Sequence, residues 1–392
     1  MKHAGAPGLL TSTCRTLQYR EYDRVPQCDR RVQARPTLKE LDMNFASDNA
    51  AGVAPPILDA IRRANDGFAL GYGDDSLTRR VERSLCDLFE RDVAAFMVAT
   101  GTAANSLAIA QLAPPWGAVL CHREAHIMTS ECGAPEFFGG GLKLVGLPGD
   151  DGRITTDILE VALDANEWGG PHHVSPAVLS LTQATEAGTT YRPDAVARLA
   201  DIAHRRGMSV QMDGARFANA IARLGASPAE ATWKAGVDVL AFGATKGGAM
   251  AAETVIFFDP ASARTLGERR KRAGHLMSKH RFVAAQFDAF LADGLWLRLA
   301  QHANRMADQL AQRLSEIGFR PLWPVEANLV FVVLPQEVHQ RLTAAGASYY
   351  DMHRDTAPAA KFARPDDVLV RLVTSFSTTV EEIDRFVAAA RA

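Results

Sequence analysis

Lys246 and Asp213 are the two residues whose types and positions best suit chemistry on a bound cofactor. Lys246 follows an apolar run at 237–242 and precedes two glycines, and Asp213 ends a second run at 208–212. A lysine amine can form a Schiff base with pyridoxal phosphate, and a carboxylate can keep the nitrogen of its pyridine ring protonated. Each residue alone has an ordinary explanation, a solvated loop for Lys246 and a helix N-cap for Asp213. If both face one crevice, the pair predicts an enzyme that uses this cofactor.

The turn Thr100-Gly101-Thr102 is the candidate site for the phosphate. It lies between an apolar run at 94–99 and a helix that begins near Ala103. Free N–H groups and the positive end of a helix dipole favour a phosphate there. A dinucleotide fingerprint or a P-loop would need a different spacing of glycines. The alternative is an ordinary turn capped by threonine, and we expect a single phosphate monoester.

Two arginines and a histidine are candidates for contacts with cofactor or substrate. Arg216 could hold a carboxylate with two hydrogen bonds, or pair with an acid at the surface. Arg371 lies inside the apolar run 368–373, where an unpaired charge is costly, so we expect an anionic partner. His126 follows another apolar run and could stack on a cofactor ring and exchange protons near neutral pH. A lone histidine is more often structural.

The composition excludes several classes of protein. The chain has 392 residues, 47% hydrophobic and 22% charged, which is enough for two domains with sizeable cores. A net charge of −2 gives no electrostatic case for binding nucleic acid or an anionic membrane. No run approaches the roughly 20 apolar residues of a membrane helix. The five cysteines form no Cys-x-x-Cys pair, which argues against disulfides and a zinc site and favours a reducing cytoplasm. We expect no metal.

Short apolar runs alternate with amphipathic stretches after Phe45, as in an α/β protein with a mostly parallel sheet sandwiched by helices. In such sheets ligands bind beyond the carboxyl ends of the strands, where Asp213 and Lys246 lie. We expect strands at 94–99, 118–121, 142–145, 177–181, 209–212, 237–242 and 254–258.

The sequence predicts three segments. Residues 1–42 are Arg-rich and lack periodicity, which indicates a flexible N-terminal extension, and no apolar region marks a secretory signal. Residues 43–278 form the large cofactor-binding domain. Residues 279–392 form a smaller α+β C-terminal domain, with long helices at 282–313 and strands at 328–333 and 368–373.

With these residues assembled, the chain resembles the L-threonine aldolase family, within the fold type I pyridoxal phosphate enzymes of the β-eliminating lyase group. The similarity runs from about Phe45 to the C-terminus. Seven segments match in family order: Phe45-Ala-Ser-Asp-Asn49, Gly71-Tyr-Gly-Asp-Asp75, Gly101-Thr-Ala-Ala-Asn105, Glu124-Ala-His126, Met212-Asp-Gly-Ala-Arg-Phe217, Gly243-Ala-Thr-Lys-Gly247 and Val370-Arg-Leu-Val-Thr374.

The resemblance implies a role for each matched residue. Lys246 would be the Schiff-base lysine, Asp213 would bind the pyridine nitrogen, and His126 would stack on the ring. Gly101 and Thr102 would hold the phosphate, and Ser47, Arg216 and Arg371 would fix the substrate carboxylate. Tyr72 would lie near a subunit boundary, because members of the family assemble as dimers of dimers. We therefore expect a homotetramer.

Two departures from the family pattern affect the site. Many members have a histidine in the loop after the strand at 177–181, where this chain reads Thr182-Gln-Ala-Thr-Glu-Ala-Gly188 and places Glu186. The general base is then His126 or Glu186. The familiar Gly-Gly-Gly-Met-Arg clamp, contributed across the subunit interface, is replaced by Gly274-His-Leu-Met-Ser-Lys279, where Lys279 could supply a point charge to the phosphate.

The function that this resemblance implies is aldol cleavage of L-β-hydroxy-α-amino acids to glycine and an aldehyde. Threonine, allo-threonine and phenylserine stay open as substrates, because the pocket for the side chain depends on loop geometry. The alternatives are another fold type I enzyme, either a β-eliminating lyase or an aminotransferase, and a catalytically silent protein that binds the cofactor. A nicotinamide dehydrogenase is disfavoured, since no Gly-x-Gly-x-x-Gly follows an early strand.

Overall fold

The computed structural model describes residues 43–165, 167–352 and 362–391. The predicted N-terminal extension, 1–42, lies outside these residues. No helix within them is long and apolar enough to cross a membrane.

The strands of the described residues form three sheets. They are β1 (Met43–Asn44), β2 (Ala94–Val98), β3 (Gly117–His122), β4 (Lys143–Leu147), β5 (Ser175–Thr182), β6 (Ser209–Gly214), β7 (Val239–Gly243), β8 (Glu253–Phe257), β9 (Leu329–Leu334), β10 (Ala347–Ser348), β11 (Tyr350–Met352) and β12 (Val368–Val373). The large sheet has the order β2-β8-β7-β6-β5-β3-β4. Its strands β4, β3, β5, β6 and β7 pair in parallel, and β8 is antiparallel to both β7 and β2.

Helices cover both faces of this sheet, so the predicted sandwich is confirmed. The α-helices are α1 (Pro55–Arg63), α2 (Ser76–Leu88), α3 (Gly101–Leu112), α4 (His126–Thr129), α5 (Ala134–Phe138), α6 (Thr156–Ala165), α7 (Pro193–Arg205), α8 (Phe217–Leu224), α9 (Leu266–Arg272), α10 (Arg281–Leu291), α11 (Leu295–Glu316), α12 (Gln336–Ala344) and α13 (Val380–Arg391). Side chains alternate between the faces of a strand. On β7, Leu240 and Phe242 therefore join one hydrophobic cluster, and Val239 and Ala241 join another with α3.

A second, smaller sheet has the order β11-β12-β9. Together with α11, α12 and α13 it surrounds its own hydrophobic cluster, which includes Leu310, Val332 and Phe386. Two residues near the start of the described chain, Met43 and Phe45, also belong to this cluster. The segment that follows β1 is thus attached to the C-terminal layer. The helix α10, by contrast, packs on α1 and α2. The domain boundary at 278/279 stays a prediction.

One edge of the large sheet carries the ends of the strands that matter for the site. The strands β5, β6 and β7 are parallel, so Thr182 pairs with Asp213 and Asp213 pairs with Ala241, near the carboxyl ends of all three strands. Because β8 runs in the opposite direction, its first residue, Glu253, pairs with Gly243 at the same edge. The pairing of Val98 with Glu253 brings the end of β2 there as well.

Candidate active site

A cavity of about 810 Å³ opens at this edge of the sheet. Eleven residues were predicted for the site, and nine of them line the cavity: Ser47, Gly101, Thr102, His126, Glu186, Asp213, Arg216, Lys246 and Arg371. They come from strand ends, a helix start, the segment after β1 and the small sheet. The fold therefore brings together residues that lie up to 324 positions apart, from Ser47 to Arg371.

Lys246 and Asp213 stand on neighbouring strands. Lys246 lies three residues after β7, and Asp213 lies near the end of β6. Burial lowers the pKa of the Lys246 amine, and the positive charge of Arg216 lowers it further. Asp213 is buried, and its Oδ1 accepts a hydrogen bond from the N–H of Ala215 (3.0 Å) while Oδ2 accepts from Asn105 Nδ2 (2.8 Å). The site thus holds a lysine biased toward its neutral, nucleophilic form and a carboxylate fixed by donors.

The turn between β2 and α3 forms another wall. Thr100 is the N-cap of α3, with extended backbone angles, and its Oγ1 accepts from the N–H of Ala103 (3.2 Å). A Cβ placed on Gly101 would meet no protein atom within 4 Å. The first turn of a 12-residue helix therefore faces open space, where its N–H groups and dipole favour an anion.

Glu186 and His126 share a third wall. Glu186 Oε1 accepts from the backbone N–H of His126 (2.8 Å) and from Thr182 Oγ1 (3.0 Å). Its Oε2 is buried and has no hydrogen-bond partner among the described residues. Burial raises the pKa of Glu186 to about 7, with a further contribution from the charge of Asp213. Glu186 can therefore both take and give a proton near neutral pH.

Arg216 already has a carboxylate partner inside the protein. Its Nε and Nη2 donate to the two oxygens of Asp48, at 2.8 and 3.0 Å, and the Asp48 side chain is 1% exposed. Asn328 Nδ2 donates to the same carboxylate (3.1 Å). Although burial opposes the shift, Arg216 and then Lys246 lower the pKa of Asp48. The sequence allowed Arg216 either to bind a ligand carboxylate or to pair with an acid at the surface. The structure shows an acid partner, but this acid is buried.

Arg371 offers unused donors to the cavity. It projects from β12; its Nη2 donates to the carbonyl of Ala46 (3.4 Å), and its guanidinium lies 5.0 Å from the ring centroid of Tyr350. Its Nε is buried without a hydrogen-bond partner among the described residues. Burial, and then the charge of Arg216, lower the pKa of Arg371. The predicted anionic partner is not a carboxylate of the described residues, so the site has a guanidinium that can bind an anion.

Comparison with known proteins places this site in a family. The family model for beta-eliminating lyases matches residues 44–337. The chain belongs to the beta-eliminating lyase family. Within it, a low specificity L-threonine aldolase of Pseudomonas aeruginosa is 45% identical over 308 residues, 78% of this chain and 88% of that protein, so the chain belongs to the low-specificity L-threonine aldolases.

Solved structures of related proteins have the same fold. A Leishmania major threonine aldolase superposes with a TM-score of 0.82 at 30% identity, covering 89% of this chain and 98% of that one. A structure of SPT with PLP superposes with a TM-score of 0.64 at 18% identity, covering 89% and 87% of the two chains. The second similarity concerns the fold alone. Both agree with the fold class predicted from sequence.

The residues of this aldolase cavity fit pyridoxal phosphate. A lysine with a lowered pKa, a buried carboxylate and a helix start with open N–H groups line one space. These three features match the aldehyde, the ring nitrogen and the phosphate of the cofactor respectively. The unfilled space beside Gly101 is where a side chain would obstruct the phosphate.

Two predicted residues do not line the cavity of this chain. Tyr72 is 53% exposed, its backbone N–H donates to the carbonyl of Ser278 (3.0 Å), and its ring lies 5.0 Å from Lys271 Nζ. Lys279 is exposed. Their predicted roles involve a second subunit and stay predictions.

Four buried polar residues of the site were not singled out from sequence: Asp48, Asn105, Glu131 and Glu253. Asp48 and Asn105 lie inside matched segments, so their position in those segments was the available signal. Glu253 lines the cavity at the start of β8, and burial raises its pKa to about 7. Glu131 follows α4 in a stretch without any recognised motif.

Proposed function

We propose that this protein is a pyridoxal phosphate-dependent aldehyde-lyase that cleaves L-β-hydroxy-α-amino acids to glycine and an aldehyde. One observation carries the proposal. Lys246 and Asp213 line a single cavity together with Arg371, whose Nε has no partner among the described residues. Membership of the low-specificity L-threonine aldolases supports threonine and its analogues as substrates.

Lys246 and Asp213 hold the cofactor at its two ends. Lowered basicity keeps more of the Lys246 amine neutral and therefore able to bond to a carbonyl carbon. Asp213 would contact the ring nitrogen, because two donors fix the position of its carboxylate. The cofactor, when bound, supplies an electron sink for the bond that breaks at Cα.

Arg371 and Ser47 position the amino acid. Arg371 supplies the cation for the α-carboxylate, and Ser47 stands nearby as N-cap of a short 3-10 helix. Arg216 adds positive charge, but its fork is bound to Asp48. Holding the carboxylate would fix which bond at Cα the cofactor weakens, and would so favour aldol cleavage over transamination or decarboxylation.

Glu186 is the residue that we expect to accept the proton of the β-hydroxyl. Its Oε2 has no hydrogen-bond partner in the part of the chain that the structure describes, and its pKa of about 7 suits proton transfer at neutral pH. His126 lies on the same wall, tied to Glu186 through its backbone N–H. This arrangement favours Glu186 as the base, with His126 stacked on the cofactor ring.

Further features belong to the same proposal. We expect phenylserine to be a substrate besides threonine and allo-threonine, the protein to act in the cytoplasm, and the chain to form a homotetramer in which Tyr72 and Lys279 approach a neighbouring site. The large and small domains meet between 278 and 279. The exposed positions of Tyr72 and Lys279 leave them available to a neighbouring subunit.

A purified sample tests this function directly. We expect a visible absorbance band from the lysine-bound cofactor, and release of glycine from threonine, allo-threonine and phenylserine. Lys246→Ala should lose that band and the turnover, whereas Lys143→Ala, which replaces an exposed lysine outside the cavity lining, should keep both. Pyruvate with ammonia, or a keto acid, would instead identify a β-eliminating lyase or an aminotransferase. A Lys246→Ala protein that keeps the band would refute the assignment of that lysine.

A further inference from the structure

Glu131 is a buried carboxylate to which the proposed function gives no role. Its side chain is 0% exposed and follows α4 in the turn before α5. One oxygen, Oε1, lies 2.8 Å from Nδ1 of His126 and 3.0 Å from Nδ2 of Asn105. The other, Oε2, has no partner among the described residues. A buried carboxylate needs donors, and His126 and Asn105 supply them.

Asn105 has a defined orientation, because its carbonyl and its amide are both used. Its Oδ1 accepts from Gln211 Nε2 (3.1 Å), and Gln211 Oε1 in turn accepts from Ser180 Oγ (2.5 Å). The Nδ2 group therefore faces the carboxylates, where it donates to Glu131 and to Asp213. All of these side chains are buried. The amide of Asn105 therefore connects Asp213, the proposed partner of the ring nitrogen, to Glu131, which contacts His126.

The chemistry of these groups fixes the proton on His126. Oε1 of Glu131 already accepts from the amide of Asn105, so the imidazole nitrogen that contacts the same oxygen donates to it. Nδ1 then carries the hydrogen, and in the neutral ring Nε2 is left with the lone pair. The backbone N–H of the same residue is held by Glu186. The ring is therefore constrained at its backbone and at Nδ1, and only Nε2 is available to a ligand.

We propose that Glu131 is a positioning residue: its buried carboxylate holds His126 as the Nδ1-protonated tautomer, and Asn105 connects this pair to Asp213 in one polar frame. This inference rests on the proposed function, because it assigns a purpose to His126 within that reaction. Nε2 of His126 is then the ring atom that accepts a hydrogen bond from the bound amino acid, while Glu186 remains the base. These hydrogen bonds also keep the imidazole ring of His126 in a fixed position relative to Asp213.

Neutron diffraction from crystals of the full chain, without an added amino acid, tests the tautomer. At a pH where the imidazole is neutral, we expect deuterium on Nδ1 of His126 and none on Nε2. Deuterium on Nε2 alone would overturn the proposal. This readout needs neither turnover nor glycine release, so it can succeed or fail whether or not the protein proves to be an aldolase.

Two variants of Glu131 separate positioning from packing. Glu131→Gln keeps an acceptor oxygen for His126 Nδ1 and for Asn105, whereas Glu131→Leu has a similar size and keeps none. We expect Glu131→Leu to lower kcat by roughly 10- to 100-fold with little change in KM, as for other residues that orient a functional histidine. Glu131→Gln should recover most of that loss, and Glu136→Gln, on the neighbouring α5, should behave as the parent.

The two variants also test whether Glu131 has only a structural role. If Glu131 only filled space, the losses of activity would follow the losses of melting temperature and Glu131→Gln would rescue no more than its stability predicts. Equal kcat values for the Gln and Leu variants at matched stability would overturn the proposal. Should Glu131→Leu not fold, the neutron map of the parent and of Glu131→Gln decides, since both must show the hydrogen on Nδ1.

Discussion

At the scale of single residues, the cavity contains carboxyl groups in very different electrostatic situations. Asp48 is held ionised by Arg216, whereas burial raises the pKa of Glu186 and of Glu253 to about 7. The difference arises because Asp48 has a guanidinium fork as partner and the two glutamates do not. A group with a pKa near 7 changes its charge over the pH range in which the protein works.

The first prediction concerns Glu186→Gln. A base must be ionised to accept a proton, so the activity of the parent should rise with pH through about 7 as Glu186 loses its proton. Glu186→Gln should lower kcat by about 100- to 10,000-fold and abolish that rise. The pH profile of kcat for glycine release measures both effects.

Glu253→Gln is the matched control, because it neutralises another buried glutamate of the cavity whose pKa is also about 7. Glu253→Gln should keep the rise of activity with pH. If Glu186→Gln kept the rise and Glu253→Gln lost it, the base would be misassigned.

At the scale of elements, the start of α3 is the part of the site that depends on main chain rather than on side chains. Most of α3 is buried against the large sheet and α5, with Ala103 to Ala110 buried without interruption. Close packing of this kind restricts movement of the helix. Its N-terminus is therefore held in place at the cavity before any ligand binds, which suits a phosphate site.

The second prediction is that Gly101→Ala weakens cofactor binding without weakening the fold. The added methyl group meets no protein atom within 4 Å, and replacement of a helical glycine by alanine commonly stabilises by about 0.4–1 kcal/mol. The same methyl group occupies the space expected for the phosphate. We expect the dissociation constant of the cofactor to rise by roughly tenfold or more, equivalent to about 1.4 kcal/mol.

Gly267→Ala provides the comparison for this prediction. Gly267 also lies in a helix, α9, with no atom within 4 Å of its added Cβ, and it does not line the cavity. It should gain similar stability and leave the affinity unchanged. Titration of the apoprotein with the cofactor, together with thermal melts, distinguishes the two variants, and equal affinities would contradict a phosphate site at Gly101.

Elements with a strong local pattern could be predicted from sequence, and pairings between distant elements could not. The apolar run at 237–242 gives β7 (Val239–Gly243), and the run at 368–373 gives β12 (Val368–Val373). The antiparallel position of β8 between β2 and β7 has no local signal, because strand order is decided by packing. The ion pair between Asp48 and Arg216 has no local signal either, because it joins residues 168 positions apart.

At the scale of the whole molecule, the site depends on a connection between the start and the end of the described chain. Phe45 is fully buried, and its ring centroid lies 5.1 Å from that of Phe386. Its N–H donates to the carbonyl of Ser348 (2.7 Å), and its carbonyl accepts from the N–H of Val373 (2.8 Å). These contacts hold the segment that carries Ser47 and Asp48 against the strand that carries Arg371.

The third prediction is that Phe45→Ala impairs substrate binding beyond its cost in stability. Loss of a buried phenylalanine typically costs about 3–5 kcal/mol in the free energy of unfolding. Because the following residues position Asp48 and its partner Arg216, we also expect KM for threonine to rise by roughly tenfold or more. Urea unfolding and steady-state kinetics below the melting temperature measure the two effects.

Phe257→Ala is the control, since Phe257 is equally buried but lies at the far end of β8 from the cavity. It should cost similar stability and leave KM close to that of the parent. If both variants raised KM in proportion to their instability, the connection through Phe45 would have no specific effect on binding.

The lowered basicity of Lys246 has a consequence for handling the protein. Before the cofactor is loaded, the cavity presents an amine whose pKa is lowered by burial to any small carbonyl compound that diffuses in, so a larger share of it is neutral than for an exposed lysine. The aldehyde released by the enzyme is such a compound, so the unloaded form is open to adduct formation by its own product, and saturation with the vitamin protects this nitrogen. An aldehyde that carries a reporter group would condense with this amine with loss of water, and a mild hydride reagent would reduce the imine, which attaches the reporter to Lys246 in preference to surface lysines such as Lys143.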